Sequence, residues 1–112
     1  MLKVNESTDG EVVVIGLEGR LDTATSADFD FALEAHAEKP TRLLVDLSGI
    51  QYVSSAGLRV FLMLAKKLQK SQGKLVLCNM SATVREVFDI AGFSKILRIE
   101  ADRAAGVAAL AG

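Results

Sequence analysis

Two hydrophobic periodicities alternate along the chain and predict strands followed by helices. Short segments dense in Val, Ile and Leu are typical of β-strands, and the nearly continuous apolar ones favour buried, central positions. The predicted strands cover residues 2–7, 11–17, 42–47, 74–79 and 95–99. Apolar residues spaced three and four apart predict amphipathic helices. The predicted helices cover residues 24–38, the stretch after residue 57 to about 72, the stretch from Ser81 to Gly92, and 102–110.

The order of these elements, β-β-α-β-α-β-α-β-α, predicts the fold class. Thr8-Asp9-Gly10 is a turn signal between the first two strands, so they should form an antiparallel hairpin. Strands that then alternate with helices require a mostly parallel sheet with right-handed crossovers. Pro40, Gly73 and Gly92 mark the helix ends. We therefore expect one α/β domain over residues 1–112, with a mixed sheet of about four to five strands and about four helices.

The composition is that of an ordinary globular domain without a strong electrostatic preference. Of the 112 residues 50% are hydrophobic, and 13 basic residues nearly balance 14 acidic ones, for a formal net charge of −1. This balance argues against binding to nucleic acid or an anionic membrane. No apolar run reaches the ~20 residues that span a bilayer, no signal-peptide core follows the first methionine, and Cys78 is the only cysteine. We therefore expect a soluble, cytoplasmic protein.

The sequence has no motif that is typical of catalysis. Its only histidine, His36, falls in a predicted helix. The chain contains no Cys/His metal spacing, no GxxxxGK[ST] phosphate loop and no GxSxG elbow. We therefore expect no enzyme activity, no metal and no cofactor.

The segment Ser54-Ser55-Ala56-Gly57 is the best candidate for function. It precedes the most amphipathic predicted helix, and partners of parallel sheets tend to meet the loops at the carboxyl ends of the strands. The local pattern by itself favours a serine that only caps the helix. A serine here could also carry a phosphate, because the positive end of the helix dipole favours negative charge.

Four segments of the chain resemble one known family. Residues 45–60 (VDLSGIQYVSSAGLRV) resemble its signature, and residues 17–22 (LEGRLD) resemble its G-x-L-D segment before the first helix. Residues 73–78 resemble its penultimate strand, and residues 84–93 (VREVFDIAGF) resemble its late helix. The family is that of STAS domains (sulfate transporter and anti-sigma factor antagonist), and the resemblance is strongest to the stand-alone bacterial anti-anti-sigma factors.

This resemblance implies a switch in transcription rather than an enzyme. Unphosphorylated members bind an anti-sigma factor that is also a serine kinase of the GHKL ATPase type, and this binding frees the sigma factor. The kinase phosphorylates a serine at the start of the helix, which separates the complex, and a PP2C-type phosphatase removes the phosphate. Alignment on Gly57 and Leu58 places the acceptor at Ser55.

The resemblance also implies a partner-binding surface around the acceptor. Its expected residues are Asp22, Thr23, Ser54, Ser55, Ala56, Gly57 and Arg59. Two positions depart from the best-known members: Ser54 replaces an aspartate, which makes it a second, less favoured acceptor, and Arg59 replaces a small residue. Asp22 has an equally good structural interpretation as the N-cap of the first helix.

The remaining polar and apolar candidates have structural interpretations. Asp46 lies in an apolar strand and is expected to accept hydrogen bonds from the loop that follows. His36 is expected to be packed or half-exposed on the apolar face of a helix. Core positions are expected for Cys78, Phe61, Met63 and Phe88.

Two other functions remain open from the sequence. A STAS domain can also be an accessory subunit of a lipid-transport ATPase complex or a part of a stress-sensing assembly, where binding is constitutive and needs no phosphate. A small nucleotide-binding domain is the third possibility, although no glycine-rich loop or catalytic base accompanies the helix start. We expect a monomer or a weak dimer.

Overall fold

Five strands form one sheet in their order along the chain, as a computed structural model of residues 2–111 shows. The strands are β1 (Leu2–Asp9), β2 (Val12–Leu21), β3 (Arg42–Val53), β4 (Lys74–Cys78) and β5 (Arg98–Glu100). The helices are α1 (Ser26–Ala37), α2 (Ser55–Lys70), α3 (Ala82–Ile90) and α4 (Arg103–Ala111), with a 3-10 turn at Phe93–Lys95. β1 pairs antiparallel with β2, and every other pair is parallel. The predicted fold class and element order are confirmed.

The two faces of the sheet carry unequal cores. One face packs against α1, α2 and α3, whose rings Phe29, Phe61 and Phe88 meet with centroid distances of 4.9 and 5.6 Å. The other face packs against α4 through a smaller cluster that includes Leu44 and Leu110. Consecutive right-handed crossovers place the first three helices on one side, so α4 alone covers the other.

Strands β2 and β3 extend past their predicted ends. β2 reaches Leu21 instead of residue 17, and β3 reaches Val53 instead of residue 47, so the segment predicted as a connection is strand. The pairing of β2 with β3 is irregular at two places, and at each one β3 has an additional residue. The shifts separate Gly16↔Asp46 from Glu18↔Gly49 and Gly19↔Ile50 from Arg20↔Tyr52. Such bulges interrupt the alternation of apolar residues along β3. For this reason the hydrophobic pattern predicts an end of the strand that is too early.

Several other boundaries differ from prediction for local reasons. α1 begins at Ser26 because the residues before it form a turn, and β5 begins at Arg98 because a 3-10 turn precedes it. After α2, the left-handed residue is Gln72 (φ 66°) and not Gly73. Gly73 is instead required by close packing, since a Cβ there would lie 2.7 Å from the Thr41 carbonyl oxygen.

The predictions for individual side chains are mostly confirmed. Cys78, Phe61 and Phe88 are fully buried, whereas Met63 is 45% exposed, so its predicted core position is wrong. His36 is half-buried, and its Nε2 lies 2.8 Å from Glu6 Oε1. Across residues 2–111, no helix has the length and apolar character that a membrane span requires.

Candidate partner-binding site

The candidate segment lies at the carboxyl edge of the parallel strands, where β3 ends and α2 begins. The Ser54 amide donates a hydrogen bond of 2.7 Å to the Leu21 carbonyl at the end of β2. This bond places Asp22 and Thr23, which follow Leu21, beside the start of α2. The structure therefore brings together the two sequence segments that were expected to form one surface.

Close packing at Gly57 fixes how α2 leaves the sheet. A Cβ at this position would lie 3.0 Å from both Cβ and the carbonyl oxygen of Leu21, and 3.2 Å from Cγ1 of Val53. Gly57 is buried, and Ala56 beside it is half-buried. The missing side chain lets the first turn of α2 rest directly on the end of β2.

The two serines have different environments. Ser54 is half-buried and caps α2, because its Oγ accepts a hydrogen bond of 3.3 Å from the Gly57 amide. Ser55 is the first residue of α2 and is exposed. Its hydroxyl has no hydrogen-bond partner within residues 2–111. Of the two serines, only Ser55 therefore has an exposed hydroxyl without a hydrogen-bond partner in the described residues.

A hydrogen-bonded turn positions Asp22. Its Oδ1 accepts from the Thr25 amide at 3.1 Å, and the buried Thr25 hydroxyl donates to the Arg20 carbonyl at 2.7 Å. The Thr25 amide, the Thr25 hydroxyl at 3.3 Å from Asp22 Oδ1, and the Arg20 charge lower the pKa of Asp22. The N-cap of α1 is Thr25 and not Asp22, so the predicted capping role is wrong: Asp22 stabilises the turn before the helix.

Arg20 and Tyr52 form a pair next to Asp22, and the sequence analysis missed it. The Arg20 guanidinium carbon lies 4.4 Å from the centroid of the Tyr52 ring, and its Nε lies 3.8 Å from Asp22 Oδ2. Arg20 is part of the LEGRLD motif, but Tyr52 comes to lie opposite Arg20 only because of the bulges in β3. The pair could not be found without the register.

Along α2, the charges next to Ser55 are positive. Arg59 is exposed one turn further along α2, and the first turn of this helix contains no acidic residue. The helix start adds partial positive charge. Among residues 2–111, no group of three or more His, Cys, Asp or Glu side chains is arranged to hold a metal ion.

Asp46 lies outside this surface, on the sheet face that α4 covers. It is 3% exposed, and its Oδ1 accepts from the Ser48 amide at 2.9 Å, as predicted. Its Oδ2 also accepts from Arg103 Nε, at the start of α4. Asp46 therefore connects the first irregular part of β3 to α4.

Comparison with known proteins identifies the family. The STAS domain model matches residues 3–106. The candidate anti-sigma factor antagonist BtrV of Bordetella bronchiseptica is 40% identical over 105 residues, which cover 93% of this chain and 90% of BtrV. The anti-sigma-B factor antagonist of Listeria monocytogenes is 33% identical over 93 residues, which cover 82% of each chain.

Solved structures share the fold. An anti-sigma factor antagonist from Mycobacterium paratuberculosis superposes with a TM-score of 0.91 at 19% identity, over 100% of this chain and 96% of that one. SpoIIAA superposes with TM-scores of 0.73 unphosphorylated (92% of each chain) and 0.71 phosphorylated (97% and 99%), at 21% and 20% identity. The family match and the identities to curated relatives show that this chain belongs to the STAS domain family, among its anti-sigma factor antagonists.

Proposed function

We propose that this chain binds a serine-kinase anti-sigma factor through the surface around Ser55, and that phosphorylation of Ser55 releases it. The observation that carries the proposal is the exposed Ser55 hydroxyl, which has no hydrogen-bond partner within residues 2–111. A kinase can reach this hydroxyl without unfolding the helix. The relatives at 33% and 40% identity, which are named as antagonists of anti-sigma factors, support the same role.

The geometry favours Ser55 over Ser54 as the acceptor. The Ser54 hydroxyl is half-buried and occupied by the Gly57 amide. Phosphorylation there would replace the N-cap and place a bulky group where α2 rests on Leu21. Phosphorylation of Ser55 would neither remove the N-cap nor place the phosphate against Leu21.

A phosphate on Ser55 is compatible with the folded chain. It adds a charge of about −1.5 to −2 at the helix start, where the dipole favours it. Arg59, four residues later on the same side of the helix, can pair with it. SpoIIAA matches this chain equally well in both phosphorylation states, which supports a switch that leaves the fold unchanged.

The same phosphate is incompatible with a tight interface. A partner packed on Ser55, Ala56 and Gly57 would have to bury a doubly charged group with few donors to compensate for its lost hydration. A penalty of about 3 kcal/mol weakens binding about a hundredfold. Separation of the partners is therefore the favoured outcome.

The proposed partners are an anti-sigma factor of the GHKL serine-kinase type and a PP2C-type phosphatase that resets the switch. In this account the chain is a non-enzymatic regulator that acts in the cytoplasm. It exerts its effect by exchange of binding partners and needs no cofactor of its own.

The acceptor can be mapped directly. The purified chain is incubated with ATP and each GHKL-type anti-sigma factor of its own organism, and phosphate is located by peptide mass spectrometry. We expect one phosphate, on Ser55. Ser55→Ala should remain unphosphorylated yet bind the kinase, and Ser54→Ala, the matched control, should be phosphorylated. Modification of Ser55→Ala as complete as that of the wild type would show that the acceptor is wrong.

A further inference from the structure

We propose that Arg20 and Tyr52 form a preorganised carboxylate-binding pair, onto which the anti-sigma factor docks an acidic side chain. This inference rests on the proposed function and extends its surface from α2 to the ends of β2 and β3.

The pair is built by the second irregularity of the sheet. Gln51 is the additional residue in β3, and after it Tyr52 stands opposite Arg20 on β2. The guanidinium then lies over the Tyr52 ring at 4.4 Å. The Arg20 side chain is 55% exposed and Tyr52 is 42% exposed. Bulges often redirect side chains at functional sites, and here the result is an ordered cation that faces solvent.

The donors of Arg20 are available to a partner. Its Nε forms an ion pair with Asp22 Oδ2 at 3.8 Å, which is too long for a hydrogen bond. Within residues 2–111 the guanidinium donates no hydrogen bond to a side chain or a carbonyl, so a closer carboxylate of a partner can still be bound. Stacking occupies the face of the guanidinium and leaves the N–H groups at its edge open. Those groups match a carboxylate in bidentate geometry. Because the ring already orients Arg20, little further entropy is lost on binding.

Composition and position also fit an interface centre. Tyrosine and arginine are enriched among the residues that dominate binding energy. Tyr52 precedes Ser55 by three residues, so their Cα atoms are at most about 11 Å apart. One partner is therefore large enough to contact both Ser55 and the pair.

The pair also explains how charge on Ser55 is sensed. Before phosphorylation, Arg20, Arg59 and the start of α2 attract an acidic partner group. A phosphate on Ser55 repels that group and competes with it for the same cations. The phosphate then weakens binding by electrostatic repulsion as well as by its size.

The test measures affinity for the purified GHKL-type anti-sigma factors of the same organism by calorimetry. We expect Arg20→Gln and Tyr52→Ser each to weaken binding about 10- to 30-fold, Arg20→Lys to weaken it less, and Tyr52→Phe to retain it. The matched control is Arg42→Gln: Arg42 is a half-exposed arginine that pairs with Glu11 at 3.1 Å, at the opposite end of β3. It should bind like the wild type.

The outcomes separate this inference from the proposed function. Wild-type binding with an unchanged affinity for Arg20→Gln would overturn the inference and leave the Ser55 switch intact. Failure of the wild type to bind any of these factors would overturn both. A kinase assay adds a second readout, because loss of docking should raise the KM for the chain and leave kcat nearly unchanged.

Discussion

Replacement of Arg103 by Met tests how β3 is held before it reaches the site. The Arg103 guanidinium donates to Asp46, whose other oxygen accepts from the Ser48 amide. Burial alone would raise the pKa of Asp46, but the hydrogen bonds from Arg103 and Ser48 outweigh it and lower the pKa. Arg103→Met removes the largest of the contacts that lower this pKa and leaves a carboxylate that is 3% exposed with only neutral donors, from Ser48 and Asn79.

The expected loss of stability follows from these contacts. Breaking a buried ion pair costs about 3–5 kcal/mol, and a hydrogen bond to a charged group contributes about 1.5–3 kcal/mol. Because the Arg103 side chain is 51% exposed, we take a value near the lower end, about 2 kcal/mol at pH 7. With a urea slope of about 1–3 kcal/mol/M, the unfolding midpoint should fall by about 1 M.

The pH dependence gives the loss a distinct signature. The pKa of Asp46 is lowered on folding, so its contribution is present above the unfolded value of 3.8 and is lost as pH falls through the folded pKa. In Arg103→Met the largest contact that lowers this pKa is gone, so Asp46 is protonated at a higher pH than in the wild type, and its protonation relieves part of the loss of stability as the pH falls. The difference in unfolding free energy between the wild type and Arg103→Met should therefore become smaller from pH 7 to about pH 4.

Urea unfolding at the two pH values, followed by circular dichroism, checks this prediction. The matched control is Arg98→Met, since Arg98 is 62% exposed and pairs with Glu100 at 2.9 Å on the surface. It should cost less than about 0.5 kcal/mol. The role assigned to the Asp46–Arg103 pair would be refuted if Arg103→Met lowered the unfolding free energy by less than about 0.5 kcal/mol. It would also be refuted if the decrease were equal at both pH values.

Two further predictions concern the serines and the cysteine. Ser54→Ala should lower the free energy of unfolding by about 1 kcal/mol, because α2 loses its N-cap. Ser55→Ala should change it by less than about 0.5 kcal/mol. Equal losses of unfolding free energy for the two variants in urea would contradict the different environments of the two hydroxyls. Burial raises the pKa of Cys78 to about 12, so iodoacetamide at pH 8 should label it only in urea. Rapid labelling of the folded chain would show that the thiol is not buried.

Local patterns were sufficient for the order of elements but not for the contacts that build the site. The α2 helix and the Gly92 stop follow from spacing and from a left-handed glycine (φ 79°). The end of β3 does not, because its bulges depend on pairing with a strand that is distant in sequence. Arg20 and Tyr52 meet only after that register is set.

Long-range pairing also explains what the interpretation of Asp46 left out. The hydrogen bond to Ser48 spans two residues and could be predicted, whereas the bond from Arg103 spans 57 residues. The exposure of Met63 has a similar origin, since helical spacing alone does not show which edge of the apolar stripe the sheet covers. The choice between Ser54 and Ser55 likewise needed the cap geometry.

Whether phosphate on Ser55 controls binding is measured by comparing the affinity of the anti-sigma factor for two forms of the chain. The unphosphorylated chain and the chain phosphorylated only on Ser55 are purified, and each is titrated by calorimetry with the kinase in the absence of ATP. We predict that the phosphate weakens binding about a hundredfold while the circular dichroism spectrum of the chain is unchanged. Equal affinity of the two forms would contradict it.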